Sequence, residues 1–232
     1  VGPWQAGTVY RERPSAIPGA VVWQTPPASG EGERRILPDG CMDLLWTSGR
    51  LVVAGPDSVA YVTRVIPGAG YTGLRFAPGD LPELLGVAAC ELRDRRVPLD
   101  EIWSPRRVRA LENRLFRGAP IEALAAGLRP DPMVRAAAGL IGEGRGVAAA
   151  AGLLDLGERR FHRLCLRVFG YGPKTLGRIL RMNRALEKAR KGETFARVAH
   201  EEGYADQAHL AREVRALTGV TLTDLAGRTG RR

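Results

Sequence analysis

The chain is poor in the residues that most often carry chemistry. Three cysteines (Cys41, Cys90, Cys165) stand far apart in 232 residues, with no CxxC and no Cys/His cluster. A structural zinc site is not expected, and an odd, sparse thiol count fits a reducing compartment better than a disulfide scaffold. The three histidines (His162, His200, His209) all fall in the last third of the sequence. The first half therefore has no Ser/His or Cys/His pair for nucleophilic catalysis. No glycine-rich phosphate loop is present. No apolar run approaches about 18 residues, and no basic-then-apolar leader is seen, so a cytoplasmic protein is expected. These absences argue against an enzyme, a metal protein and a membrane protein, and no cofactor is expected.

What the chain does have is a hydrophobic fraction of 44%, enough for a real core, and a net charge of +10. The charge is uneven. Residues 1–129 hold 16 basic and 14 acidic side chains, net +2, whereas residues 130–232 hold 19 and 11, net +8. A basic segment attracts phosphate polyanions and releases their counterions on binding. An arginine-rich soluble surface would have the same composition.

Residues 1–79 are rich in Gly and Pro and carry short β-prone runs at 20–24, 34–37, 42–47, 50–54, 59–66 and 71–76. Turn residues such as Pro38-Asp39-Gly40 and Gly55-Pro56-Asp57 separate them, which predicts a compact antiparallel sheet or barrel. From residue 80 the period becomes helical. Leu81, Leu84, Leu85, Ala88, Ala89 and Leu92 share one face, with Asp80 as the N-cap. A helix over 105–117 carries the stripe Val108, Leu111, Leu115, which either packs on the sheet or makes a dimer contact. Gly127 to Pro132 breaks the helical pattern and marks a boundary between two domains, 1–129 and 130–232. Helices are predicted beyond it at 132–142, 146–153, 157–168, 173–191, 194–202, 206–217 and near 221–227.

The second domain contains a near-repeat. Ala151 and Leu156 match Ala199 and Tyr204 at an offset of 48; Phe161, Arg163, Cys165 and Gly170 match Leu210, Arg212, Val214 and Gly219 at 49. Each copy reads as a short Ala-rich helix, a tight turn and a second, arginine-bearing helix, the pattern of a helix-turn-helix. In the first copy Ala148 to Ala151 allow close helix approach, and Leu153, Leu156, Phe161 and Leu164 fill the core. Arg159, His162 and Arg163 are left on another face. In the second, Val198, Ala199, Tyr204, Leu210 and Val214 form the core, Asp206 caps the helix, and Gln207, Ala208, Ala211 and Arg212 point outward. Arginine pairs with guanine, glutamine with adenine, and alanine packs on a thymine methyl. Arg160, Arg167, Lys174 and Arg178 suit phosphate contacts. His209 either touches phosphate or is half-buried.

Residues 147–225 resemble the DNA-binding domain of AraC-type transcription regulators. The resemblance is carried by Leu156, Arg159, Phe161, Arg163 and Gly170, then by Ala199, Gly203-Tyr204, Asp206-Gln207, Leu210, Arg212 and Gly219-Val220-Thr221. It implies two helix-turn-helix units joined by one long helix and entering successive major-groove segments. It also implies base reading at Arg159, His162, Arg163, Gln207, Ala208, Ala211 and Arg212. Gly157 stands where that family has a capping Ser, Cys165 where it has Phe, and Leu222 where it has Pro. Residues 37–46, Gly55-Pro56 and 73–79 resemble an uncharacterised sensor-type domain that precedes the module in many such regulators. The fold class expected is therefore α+β, a β-rich first domain followed by an all-α second one.

In the first domain Trp4, Trp23, Trp46 and Tyr71 either line an apolar effector pocket or belong to the core, and Arg75 pairs either with an acidic ligand or with Asp43. Cys41 is either a reactive thiol or a buried one. The leading expectation is a sequence-specific regulator of double-stranded DNA. Its implied partners are a small-molecule effector bound near Trp23, Cys41, Asp43, Trp46, Tyr71 and Arg75, a second copy in a homodimer and, for an activator, RNA polymerase. The competing readings are a DNA-alkylation responder with Cys41 as acceptor and a nonspecific basic DNA-coating protein.

Overall fold

A computed structural model describes residues 10–227. In the first half, strands β1 (Arg11–Pro14), β2 (Val21–Thr25), β3 (Glu33–Ile36), β4 (Met42–Thr47), β5 (Arg50–Ala54), β6 (Tyr61–Arg64), β7 (Tyr71–Phe76) and β8 (Arg96–Pro98) form two sheets. The larger runs β1-β2-β7-β4-β5-β8, antiparallel throughout, and β3 pairs with β6 in a separate ribbon. Side chains alternate across a strand. Val22, Leu44, Val53, Leu74 and Phe76 therefore enter one core with helices α1 (Leu81–Leu85), α2 (Ala89–Leu92) and α3 (Pro105–Phe116). Trp23, Asp43 and Arg75 face the other way, toward Leu37 and Asp57 from the segments flanking the ribbon.

Five of the six expected strands match closely, and the run at 59–66 pairs only over Tyr61–Arg64. The single helix expected from residue 80 is two short ones. Gly86, at φ 73°, closes α1 with a left-handed turn and redirects the chain. Asp80 does not cap it: its side chain makes no capping bond and pairs with Arg135 at 2.9 Å. The stripe on α3 packs onto the sheet core, where Val108 and Leu115 are buried and Leu111 is partly so.

The second half holds α4 (Pro132–Gly142), α5 (Val147–Leu153), α6 (Glu158–Phe169), α7 (Pro173–Arg190), α8 (Phe195–Glu201), α9 (Gln207–Thr218) and α10 (Leu222–Ala226). Helix α7 is the axis. Leu176, Ile179, Met182, Ala185 and Ala189 recur every three or four residues along it and are buried, the period of one helix face. On them pack Ala150, Ala151, Phe161 and Cys165 from the first unit and Val198, Ala199, Leu210 and Val214 from the second. Two expectations fail here. Leu153 is 66% exposed and Ala148 and Ala149 face solvent, because the α5–α6 contact uses only the C-terminal alanines.

The halves meet along much of their length. Leu37 belongs to the helical core. Asn183 Nδ2 donates to the Pro38 carbonyl at 2.8 Å. Ala60 N donates to the Leu217 carbonyl at 2.7 Å and Arg35 Nη1 to that of Thr218 at 2.9 Å. Arg93 Nη1 reaches the Gly170 carbonyl at 3.4 Å. Gly170 ends α6 at φ 84°, and a Cβ there would lie 2.6 Å from Pro56 Cγ. Gly144 also has positive φ (79°) but opens onto free space. Gly144→Ala should cost roughly 1–2 kcal/mol for the left-handed conformation alone. Gly170→Ala should cost about 1–3 kcal/mol more through overpacking against Pro56. Urea unfolding of both variants measures the difference, and equal losses would remove the inter-half contact from the account.

Candidate nucleic-acid interface

Helix α6 is strongly two-faced. Phe161, Cys165, Val168 and Phe169 are buried, while Arg159, Arg160, His162 and Arg163 are exposed. Arg159, His162 and Arg163, at i, i+3 and i+4, share a face. None of the three exposed arginines makes an ion pair with a described residue. The His162 ring lies close to Gly172, where a Cβ would come within 2.8 Å of Nε2. The helix starts at Gly157 with no side-chain cap. Cys165 is fully buried, and burial pushes its thiol up to about 12. Arg167, expected at phosphate, lies in the last turn of α6 and lines a cleft against the first half.

In the second unit the Asp206 carboxylate accepts from His209 N at 2.6 Å and starts α9, as expected. Gln207, Ala208 and Arg212 are exposed and Ala211 half-buried. Their i, i+1, i+4, i+5 spacing forms one face. Val198, Ala199, Tyr204, Leu210 and Val214 are buried as the pattern required. His209 is half-buried, edge-on to Tyr204 at 5.3 Å, and its Nδ1 accepts from Ala205 N at 3.2 Å.

Charged side chains on α7 grip the second unit. Glu213 on α9 is nearly buried and pairs with Arg178 Nε at 3.0 Å and Arg181 Nη2 at 2.7 Å. Arg181 also lies 4.2 Å over the Tyr204 ring. Arg184 and Lys188 bind Glu202 at 2.8 and 2.9 Å, and Lys188 and Arg197 bind Glu201 at 2.8 Å each. Burial alone would raise Glu213, but the hydrogen bonds from Arg181 and Arg178 hold it below the usual carboxylate range. Lys188 and Arg197 bring Glu201 down to about 2. Burial, then Glu213, pushes Tyr204 up to about 12. Arg178, expected at phosphate, pairs with Glu213 through Nε, while its side chain stays 45% exposed. Lys174, in the first turn of α7, is exposed and makes no ion pair with a described residue. The Arg181–Glu213 pair was missed because nothing local in the sequence links residues 32 apart.

The six residues expected at an effector pocket are only partly assembled. Trp23 lies flat over Gly73, where a Cβ would fall 2.1 Å from the ring, and its Nε1 donates to Asp43 Oδ1 at 2.6 Å. Arg75 Nε stands 3.3 Å from Asp43 and 3.5 Å from Asp39, and Cys41 N donates to Asp39 at 2.9 Å. Trp23, Cys41, Asp43 and Arg75 surround an enclosed space of about 40 Å³. That is room for water, well short of the roughly 300 Å³ or more of a ligand site. Trp46 packs on the main sheet core instead, and Tyr71 lines a different surface depression. Trp4 lies outside the described residues. Burial, then Asp39, raises the Cys41 thiol well above its ordinary value, which disfavours the thiolate.

Residues 150–228 match the family model of a helix-turn-helix domain. The chain carries an AraC-type helix-turn-helix domain. Ahead of this AraC-type domain, residues 20–98 match a domain of unknown function (DUF6597). No curated protein matches the chain. Among solved structures, ToxT from Vibrio cholerae is similar at 11% identity and a TM-score of 0.48, covering 94% of this chain and 99% of that one. A form of ToxT bound to an unsaturated fatty acid is similar at 10% identity and 0.44, covering 89% and 94%. No described helix is long and apolar enough to cross a membrane.

Glu213→Gln should destabilise the AraC-type domain by about 1–3 kcal/mol, less than a fully buried pair because solvent screens Arg178. Glu213 has a folded pKa below its ordinary value of 4.5. Its contribution is therefore full above that value and lost as pH falls through the lowered one. Urea unfolding of wild type and variant should differ by a constant amount above that pH, and the gap should close below it.

Proposed function

We propose that the chain is a sequence-specific transcription regulator of double-stranded DNA. In this reading residues 130–232 bind DNA and residues 1–129 modulate that binding. The observation that carries it is the pair of recognition helices, α6 and α9, mounted on one axis with exposed faces that make no ion pair with another described residue. Arg159, His162 and Arg163 on α6 read one major-groove segment, and Gln207, Ala208, Ala211 and Arg212 on α9 read the next. Arg160 and Lys174 hold phosphates, as does His209 through Nε2, which its Nδ1 contact leaves available. Modulation by a small molecule is supported by the direct contact of the first half with the C-terminal ends of both recognition helices. A cytoplasmic location belongs to the same reading.

Selection from a randomised duplex pool at moderate salt tests the reading. A motif of two segments about one helical turn apart is expected. Retention without any motif would leave only a basic DNA-coating protein. On the selected duplex Arg163→Ala should lose about 1–3 kcal/mol, with little change on scrambled DNA. Arg160→Ala should weaken both alike and lower the salt slope by about one. Equal loss on both duplexes for Arg163→Ala would make it a phosphate contact.

A further inference from the structure

Between the two halves lies a cleft of about 410 Å³. Its walls come from α1 and the turn after it on one side, and from α4 and α6 on the other. Pro82, Val87, Val134 and Val168 supply its apolar wall, and polar groups make up about as much of the lining. Two charged side chains line it without an intramolecular partner among the described residues: Glu83 from the first half and Arg167 from recognition helix α6. They share the cleft yet no ion pair joins them. Asp131 also lines it but is engaged as the cap of α4, accepting from Met133 N at 2.8 Å. The volume lies within the range of small-molecule sites, which are apolar clefts with a few placed polar groups.

We propose that this cleft binds an apolar α-amino acid, its carboxylate on Arg167, its ammonium on Glu83 and its side chain against the valines. A simple carboxylate would meet repulsion from Glu83 and Asp131, and a simple amine would leave Arg167 unanswered. A zwitterion satisfies both charges. Only the docked arrangement of the halves presents Glu83 and Arg167 together, so the ligand stabilises that arrangement. That this alters DNA binding rests on the regulator reading above; the binding itself does not.

The test is calorimetric titration of the full chain, without DNA, with L-leucine, L-phenylalanine and L-tryptophan at millimolar concentration. The N-acetyl and amide derivatives of any amino acid that binds are titrated alongside. At least one amino acid is expected to bind with one-to-one stoichiometry. Removing its ammonium or its carboxylate should weaken binding roughly tenfold or more, as should Glu83→Gln and Arg167→Ala. Ala88→Trp should abolish binding by filling the cleft, with circular dichroism confirming the fold of each variant. No heat from any of the three amino acids would overturn the proposal. So would derivatives that bind as well as their parent, or unchanged affinity in both charge variants. Failure of the DNA selection would leave this result standing, and failure of this titration would leave the DNA reading standing.

Discussion

The carbonyl ends of both recognition helices are held by the same partner. The last turn of a helix leaves carbonyls without intrahelical donors, and its dipole favours cations there. At the end of α6, Arg93 approaches the Gly170 carbonyl. At the end of α9, Ala60 N and Arg35 take the carbonyls of Leu217 and Thr218. Between them, Asn183 on the axial helix binds the Pro38 carbonyl. The first half thus contacts α6, α7 and α9 together. The relative placement of α6 and α9 follows from these contacts as well as from packing on α7. Anything that shifts the first half relative to the second must move at least one recognition helix.

The two units are secured differently. The first is held by apolar packing, with Phe161 and Cys165 on the α7 stripe and Gly170 against Pro56. The second adds a charged network in which Glu213 and Glu202, both nearly buried, are answered by four cations of α7. Partly buried glutamates that lose their partners are costly, so the network favours one orientation of α9 over its alternatives. It also consumes much of the positive charge on α7. Exposed cations without an ion pair among the described residues include Arg159, Arg160 and Arg163 on α6, Lys174 at the start of α7 and Arg212 on α9.

Much of this was legible in the sequence, for identifiable reasons. The helices of the second half were readable because period, cap and stop agree locally: Asp206 caps where expected, and the glycines after α6 and α9 adopt left-handed backbone. The central strands were readable from apolar alternation between turn residues. Strand β1 was not, because Arg11–Pro14 is an exposed edge with no apolar alternation. Nor was β8, three residues long. The helix break at Gly86 was missed because the apolar period runs on across it. The effector pocket failed for a different reason. Residue types that suit a ligand also suit one another, and Asp43 is answered by Trp23 and Arg75 within the fold. The Arg178–Glu213 pair was hidden for the same reason, since only the folded chain brings the two together.

The most direct test of a braced pair of recognition helices is its tolerance of DNA spacing. The affinity of the full chain would be measured for its selected duplex and for the same duplex with one base pair, then half a helical turn, inserted between the two segments. The brace predicts a loss of about tenfold or more at the first insertion and a fall to nonspecific affinity at half a turn, where the segments lie on opposite faces. Undiminished affinity at every spacing would contradict it, showing that the units move independently or that only one of them reads DNA.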